Sequence, residues 1–415
     1  MTVAPPDPRL YPLLRAAGFG EDVFNPRQHR ACELVERYAR AVASGVVDAL
    51  GIRDALARDT TVDALLAATG FVPAFRPALI WLLDYVAAEV DVQGGTEKPG
   101  GRAFRRDSGA NRVRRETEPR PLNRGSQGLP NAPKGPPPRL LGATTDALRA
   151  QILATDASYA PALALLDEAA AIYPRVARGE TTGEQALFRR AALWFAYFSN
   201  EHGYYAINNC VAAAAAAERC RPGARVLEIG AGLGSATEAL LARLGRAAAS
   251  LATYLATEPV ALFRRRAERI LRAARPDVPF VFAALDMNGA WDVASGSFDL
   301  VWGVNVFHLA RDLERVLAEA RRALAPGGWL VAGEGLRPAP GRPVGVELPF
   351  RLLESFTDVE LDPVRRPTPG FLTAEAWRDA FTRAGFARVT LVPDAIRVRA
   401  LYPGFFAAAV CGQAG

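Results

Sequence analysis

The spacing of hydrophobic positions changes once along this chain of 415 residues, near Arg225. Upstream of it, apolar side chains recur at helical intervals. "RQHRACELVERYARAVASGVVDAL" (27–50) predicts a long helix, and "TTVDALLAATG" (60–70) a short one with Thr as its cap and Gly as its stop. "FRPALIWLLDYVAAEVDV" (75–92) predicts a third helix running into a strand, and "RAFRR" (102–106) a short strand that closes the unit. That order predicts a mostly helical, winged-helix-like domain over residues 1–91, a shape used for DNA binding or dimerisation; a plain helical packing unit is the alternative. Residues 143–222 read as helix throughout, from "TDALRAQILA" to the alanine-rich "YAINNCVAAAAAAERC", and are expected to connect to the next domain and cover its site.

From Arg225 onward the pattern becomes seven strand-like runs, "RVLEI", "ATYLATE", "PFVFAAL", "FDLVWGV", "GWLVAGE", "ARVTLV" and "GFFAAAV", separated by helices. Strands alternating with helices predict an α/β fold over residues 223–415: a Rossmann-like, doubly wound and mostly parallel sheet. Ligands of such a sheet bind at the carboxyl ends of its strands.

Composition alters the picture between the two halves. Residues 92–142 are rich in Gly, Pro and Arg, hold 11 basic side chains against 4 acidic ones, and lack apolar periodicity. A segment of that kind cannot offset its own ordering entropy, so a flexible basic linker is expected. The net charge of +6 is concentrated there, since the remainder carries 39 basic and 40 acidic side chains. A nucleic-acid partner is therefore disfavoured. Both lysines, Lys98 and Lys134, lie in the linker, which excludes a lysine base or nucleophile from the globular part. The four cysteines and three histidines are scattered without ligand spacing, so no metal site is expected. The longest apolar run, Cys210–Ala217, is far shorter than a membrane span, and the first residues lack a charged region leading into an apolar one. A cytoplasmic location is the expectation.

"VLEIGAGLGSATEALL" sets Glu228, Gly230, Gly232 and Gly234 at the turn between the first strand and its helix. Glycines there let the backbone bend sharply and let a ligand approach without meeting a Cβ. Glu228 would repel a diphosphate but attract a cofactor carrying an ammonium and a sulfonium. Glu258, closing the second strand, is placed to accept ribose hydroxyls. Asp286 and Met287, after the third, are placed to accept an adenine amino group and to pack on the ring.

These residues resemble those of class I S-adenosylmethionine-dependent methyltransferases. "LEIGAGLG" matches the first motif, Glu258 the ribose-binding acid, Asp286 the adenine-binding acid, and "LAPGGWLVAGE" the turn before the fifth strand. The resemblance covers about residues 195–415. It implies a seven-stranded methyltransferase sheet, S-adenosyl-L-methionine as cofactor, and Asn305 beside the methionine part. Tyr204, with Tyr197 and Tyr205, would face the sulfonium.

"NVFHLARDL" (305–313) places His308 after the fourth strand, and Glu334 ends the fifth. Neighbouring strands lie about 4.8 Å apart, so the carboxylate can reach the imidazole, fix its tautomer and stabilise its protonated form. That pairing makes a general base. The His308 and Glu334 pair, together with "GFLTAEAWRDAFTRAGF", is similar to the carbon-methyltransferase domains of polyketide synthases. Small-molecule O-methyltransferases with a winged-helix domain also carry a histidine here, in an "HDW" signature that this chain replaces with Leu309 and Ala310. The resemblance implies a natural-product methyltransferase acting on a small or carrier-protein-bound acceptor, by C-methylation with O-methylation as the alternative. It also allows a homodimer through the N-terminal domain. A cofactor-sensing, DNA-binding regulator and a non-catalytic relative are the readings from other classes. Residues 338–372 are expected to insert as a lid, in which an amphipathic helix from Leu348 to Phe356 turns Phe350, Leu353 and Phe356 toward the acceptor.

Overall fold

The seven expected strands form as β1 (Arg225–Ile229), β2 (Thr253–Thr257), β3 (Phe280–Ala283), β4 (Phe298–Val304), β5 (Leu324–Gly335), β6 (Ala387–Val392) and β7 (Ala407–Gln413). They belong to a computed structural model that describes residues 6–54, 60–93 and 142–415. The sheet order is β3-β2-β1-β4-β5-β7-β6. β1 to β5 run parallel, with Leu227 opposite Val301 and Val301 opposite Leu330, while β7 lies antiparallel to both β5 and β6. The chain changes direction across the sheet between β1 and β4, which opens a crevice at their carboxyl ends.

The alanine run downstream of Tyr205 is a helix, Gly203–Ala217, that lies on β4, β5 and β7. Its small side chains permit a close approach: a Cβ on Gly333 of β5 would collide with Ala212. The same helix therefore delivers its first turn, with Tyr204 and Tyr205, to the carboxyl edge of the sheet.

A second hydrophobic core lies beside the sheet. Helices Pro26–Ala49, Val62–Thr69, Arg76–Gln93, Ala160–Ala177 and Ala191–Tyr197 contribute to it, joined by Leu348, Leu352, Leu353 and Phe356 of the expected lid. The third N-terminal helix continues to Gln93, so the strand expected at its end is not formed. The run Ala87-Ala88-Glu89 continues a helix-favouring sequence with no breaker before Gly94. Among the described residues no strand precedes Arg225. The expected strand at 102–106 and nearly all of the linker fall outside the described residues. Helix Arg76–Gln93 buries Ala78, Leu79, Trp81, Leu82, Leu83, Tyr85 and Val86, which is packing rather than the open face of a base-reading helix.

The lid also departs from expectation. Instead of one helix from Leu348 to Phe356, a 3-10 turn at Phe350–Leu352 and a short helix at Glu354–Thr357 are separated by an extended Leu353, φ −95° and ψ 125°. Tertiary bonds take the groups a continuous helix would use. The Tyr173 hydroxyl donates to the Leu348 carbonyl at 2.8 Å, and the Glu354 amide donates to the Glu184 carboxylate.

Candidate active site

The glycine turn leaves β1 with three positive φ angles, 66° at Gly230, 57° at Gly232 and 91° at Gly234. A Cβ on Gly230 would sit 2.6 Å from Val306 Cγ2, so glycine is demanded by space as well as by φ. Glu258, one residue beyond β2, accepts from the Gly232 amide at 3.0 Å and from the Val260 amide at 2.8 Å. Burial pushes its carboxyl up, against those two backbone bonds. Each oxygen keeps further lone-pair capacity for a ribose hydroxyl.

Glu228 is not where the sequence suggested. Its carboxylate is turned into the sheet, where Oε2 accepts from Thr237 Oγ1 at 2.6 Å and from the Tyr254 hydroxyl at 2.7 Å. Trp302 Nε1 in turn donates to that hydroxyl at 3.0 Å. Burial pushes Glu228 up to about 7, and its Oε1 has no partner among the described residues. It supports the turn from beneath instead of presenting an open charge. Asp286 stands exposed after β3 and accepts from the Asn288 amide at 2.9 Å. Met287 is buried in the sheet's core.

Asn305 follows β4 with φ 52°, a conformation rare for a residue with a side chain. Its amide donates to the Gly333 carbonyl at 2.7 Å, and its Oδ1 accepts from the Gly335 amide at 3.0 Å. The ends of β4 and β5 are thereby stitched together. Two residues on, a 3-10 turn at Phe307–Leu309 aims the imidazole of His308. Its Nδ1 lies 2.7 Å from Glu334 Oε2. Glu334 Oε1 accepts from the Phe307 amide at 2.8 Å, so both carboxylate oxygens serve this one turn. Both side chains are buried. The ring of His308 packs against Phe371, 4.7 Å between centroids, and Phe356, 5.7 Å.

A cavity of about 450 Å³ is lined by His308 and Asn305 together with Tyr197, Tyr204, Tyr205, Phe350 and Phe356. Seven of the expected site residues thus share one space. Leu353 does not; it is buried in the helical core. Several lining residues escaped the sequence reading, among them Phe198, Asn208, Phe371, Phe406, Cys32 and Arg37. Phe371 lies within the quoted "GFLTAEAWRDAFTRAGF" and Phe406 within "GFFAAAV", a signal that was available. Cys32 and Arg37 come from the N-terminal helix, whose contact with the site no local pattern announces.

The sheet, parallel from β1 to β5, thus carries an acidic, glycine-lined turn and a buried His–Glu pair at the carboxyl edge of those strands. Residues 227–330 match the family described as "methyltransferase domain", and the chain carries such a domain. The hybrid PKS-NRPS synthetase buaA of Petromyces alliaceus is 33% identical over 165 residues, 39% of this chain and 4% of that protein. The chain spans less than a tenth of the length of the curated relatives it matches. Among solved structures, the CurJ carbon methyltransferase shares the fold with a TM-score of 0.68 at 20% identity, covering 98% of this chain and 96% of that one. The trans-methyltransferase CalH, solved in complex with SAH, aligns with a TM-score of 0.59 at 17% identity, covering 94% and 92%. No helix among the described residues is long and apolar enough to cross a membrane.

Proposed function

We propose that the chain moves a methyl group from S-adenosylmethionine to an acidic carbon of an acyl acceptor, free or carrier-bound, with His308 as the general base. One observation carries the reading: the buried 2.7 Å contact of His308 Nδ1 with Glu334, on the wall of a 450 Å³ cavity. The CurJ neighbour is described as a carbon methyltransferase, and buaA as a PKS-NRPS synthetase, which supports carbon over oxygen and an acceptor of polyketide type.

The cofactor, when bound, supplies the electrophilic methyl. The residues fit it: Gly232, at φ 57°, has room where a Cβ would stand, Glu258 offers carboxylate oxygens beside that turn, and Asp286 stands exposed after the next strand. The CalH complex with SAH supports the same choice. The Oδ1 of Asn305 is committed to the backbone, so its amide hydrogens remain for the methionine end.

The remaining steps belong to the protein. Glu334 accepts the Nδ1 proton, which leaves the Nε2 lone pair of His308 as the basic position. Nε2 removes a proton from a carbon flanked by two carbonyls, and the anionic Glu334 stabilises the imidazolium that forms. Phe350, Phe356 and Phe371 exclude water and hold the carbon in line for displacement. The test is a screen of acceptors with isotopically labelled cofactor, comparing 3-oxoacyl thioesters with phenols. Label on the carbon between the carbonyls is expected; label on oxygen would replace this reading with O-methylation.

A further inference from the structure

Three arginines are buried in and just before the covering segment, residues 338–372, and they are treated differently. Arg337 and Arg351, 2% and 4% exposed, both donate to the fully buried Glu347, at 2.5 and 2.8 Å. Burying a guanidinium costs several kcal/mol unless an anion and full hydrogen bonding compensate it, and there the fold supplies a carboxylate. Arg366, 6% exposed, has no carboxylate within ion-pair distance among the described residues. Glu334, Asp312 and Glu360 act on it only from farther away. Its side-chain bonds go to two carbonyls at one turn: Nη2 donates to His308 O at 2.5 Å and Nη1 to Ala310 O at 2.6 Å, while Nε has no partner among the described residues.

One of those carbonyls belongs to the middle residue of the 3-10 turn that aims the imidazole, and the other to the residue that ends it. Arg366 reaches them from a tight loop closed by mutual backbone bonds with Asp362, 2.9 and 3.0 Å. The segment that holds Arg366 also provides Phe356 and Phe371, the rings against His308. One insertion therefore both walls the acceptor space and grips the backbone of the base.

We propose that Arg366 is a positioning residue for His308, tying the aim of the imidazole to the seating of the covering segment. The inference rests on His308 being the base, and a purely structural cation would be served better by a carboxylate like Glu347.

The test uses the full chain labelled with 15N-histidine; with three histidines the imidazole spectrum separates His29, His202 and His308. In Arg366→Met, the His308 ring signals are expected to shift or broaden while those of His29 and His202 stay in place. With a 3-oxoacyl thioester of N-acetylcysteamine, kcat falls about 10- to 100-fold, the scale of a misplaced reacting group, and affinity for S-adenosylmethionine stays within about twofold. Arg366→Lys, which keeps the charge but loses the fork, gives a smaller change in the same direction. Unmoved His308 signals with a native kcat in either folded variant would overturn the proposal. If Arg366→Met fails to fold, the lysine variant decides it alone. Absence of turnover by the native protein counts against the proposed function, while the histidine spectra still judge Arg366.

Discussion

The imidazole of His308 is gripped at Nδ1 by Glu334, and Glu334 is gripped in turn by the Phe307 amide, so orientation and charge come from the same carboxylate. Replacing it by its amide keeps the shape and removes the anion. Glu334→Gln is therefore expected to lower methyl transfer by about 100-fold or more, within the range of acid–base contributions, with cofactor affinity near native in a binding titration. Gly230→Ala acts at the other end of the crevice. A side chain at φ 66° is strained by about 1–3 kcal/mol, and its Cβ would press on Val306. Calorimetry is expected to show S-adenosylmethionine binding weakened about tenfold or more; native affinity would mean that the turn is not the cofactor cradle. The contact of His308 with Glu334 was legible in the sequence because His308 follows β4 and Glu334 lies near the end of β5, and this topology makes those strands neighbours. Glu228 was not, since whether its carboxylate faces a ligand or the sheet depends on Tyr254 and Thr237, and Tyr254 comes from the next strand.

At the scale of elements, the covering segment is held by charge as much as by apolar contact. Glu347 receives Arg337, Arg351 and the Trp81 indole N–H, at 3.0 Å, and so joins the segment to the N-terminal helices. Removing that anion strands two buried cations. Glu347→Gln is expected to destabilise the protein by about 3–5 kcal/mol, read as a lower midpoint in denaturant unfolding; a change under about 1 kcal/mol would show that solvent relieves the cations. Amphipathic spacing suggested a helix from Leu348 to Phe356, and two of its residues, Phe350 and Phe356, line the cavity. The helix itself is interrupted at the extended Leu353, beside tertiary bonds such as that from the Tyr173 hydroxyl, far away in the chain, to the Leu348 carbonyl. Strands were easier to read, because their apolar runs fill a core covered on both faces and need no distant partner to be recognised.

At the largest scale the described residues form two cores, and the cavity lies where they meet: His308 and Asn305 come from the sheet side, Phe350 and Phe356 from the cover. The fold of the sheet was open to sequence reasoning through its alternating periods. The way the N-terminal helix reaches the cavity was not, for long-range packing leaves no local spacing. Buried histidines give this body a pH dependence. Burial pushes His29 and His202 down to about 4 from an ordinary 6.5. Between those values the unfolded chain binds more protons than the folded one, so stability falls as pH drops from about 6.5 to about 4. Glu228, pushed up to about 7, works in the opposite direction. The comparison of native protein with His202→Gln isolates the histidine: on acidification from about pH 7 to about pH 5, the variant's thermal midpoint is expected to fall less. The central claim, that His308 takes a proton from carbon, is tested most directly without methyl transfer. In deuterium oxide with S-adenosylhomocysteine, native protein is expected to accelerate deuterium uptake at the carbon between the carbonyls of a 3-oxoacyl thioester above the buffer rate, and His308→Ala to return it to that rate. Uptake equally fast with His308→Ala, or no faster than buffer with the native protein, would contradict it.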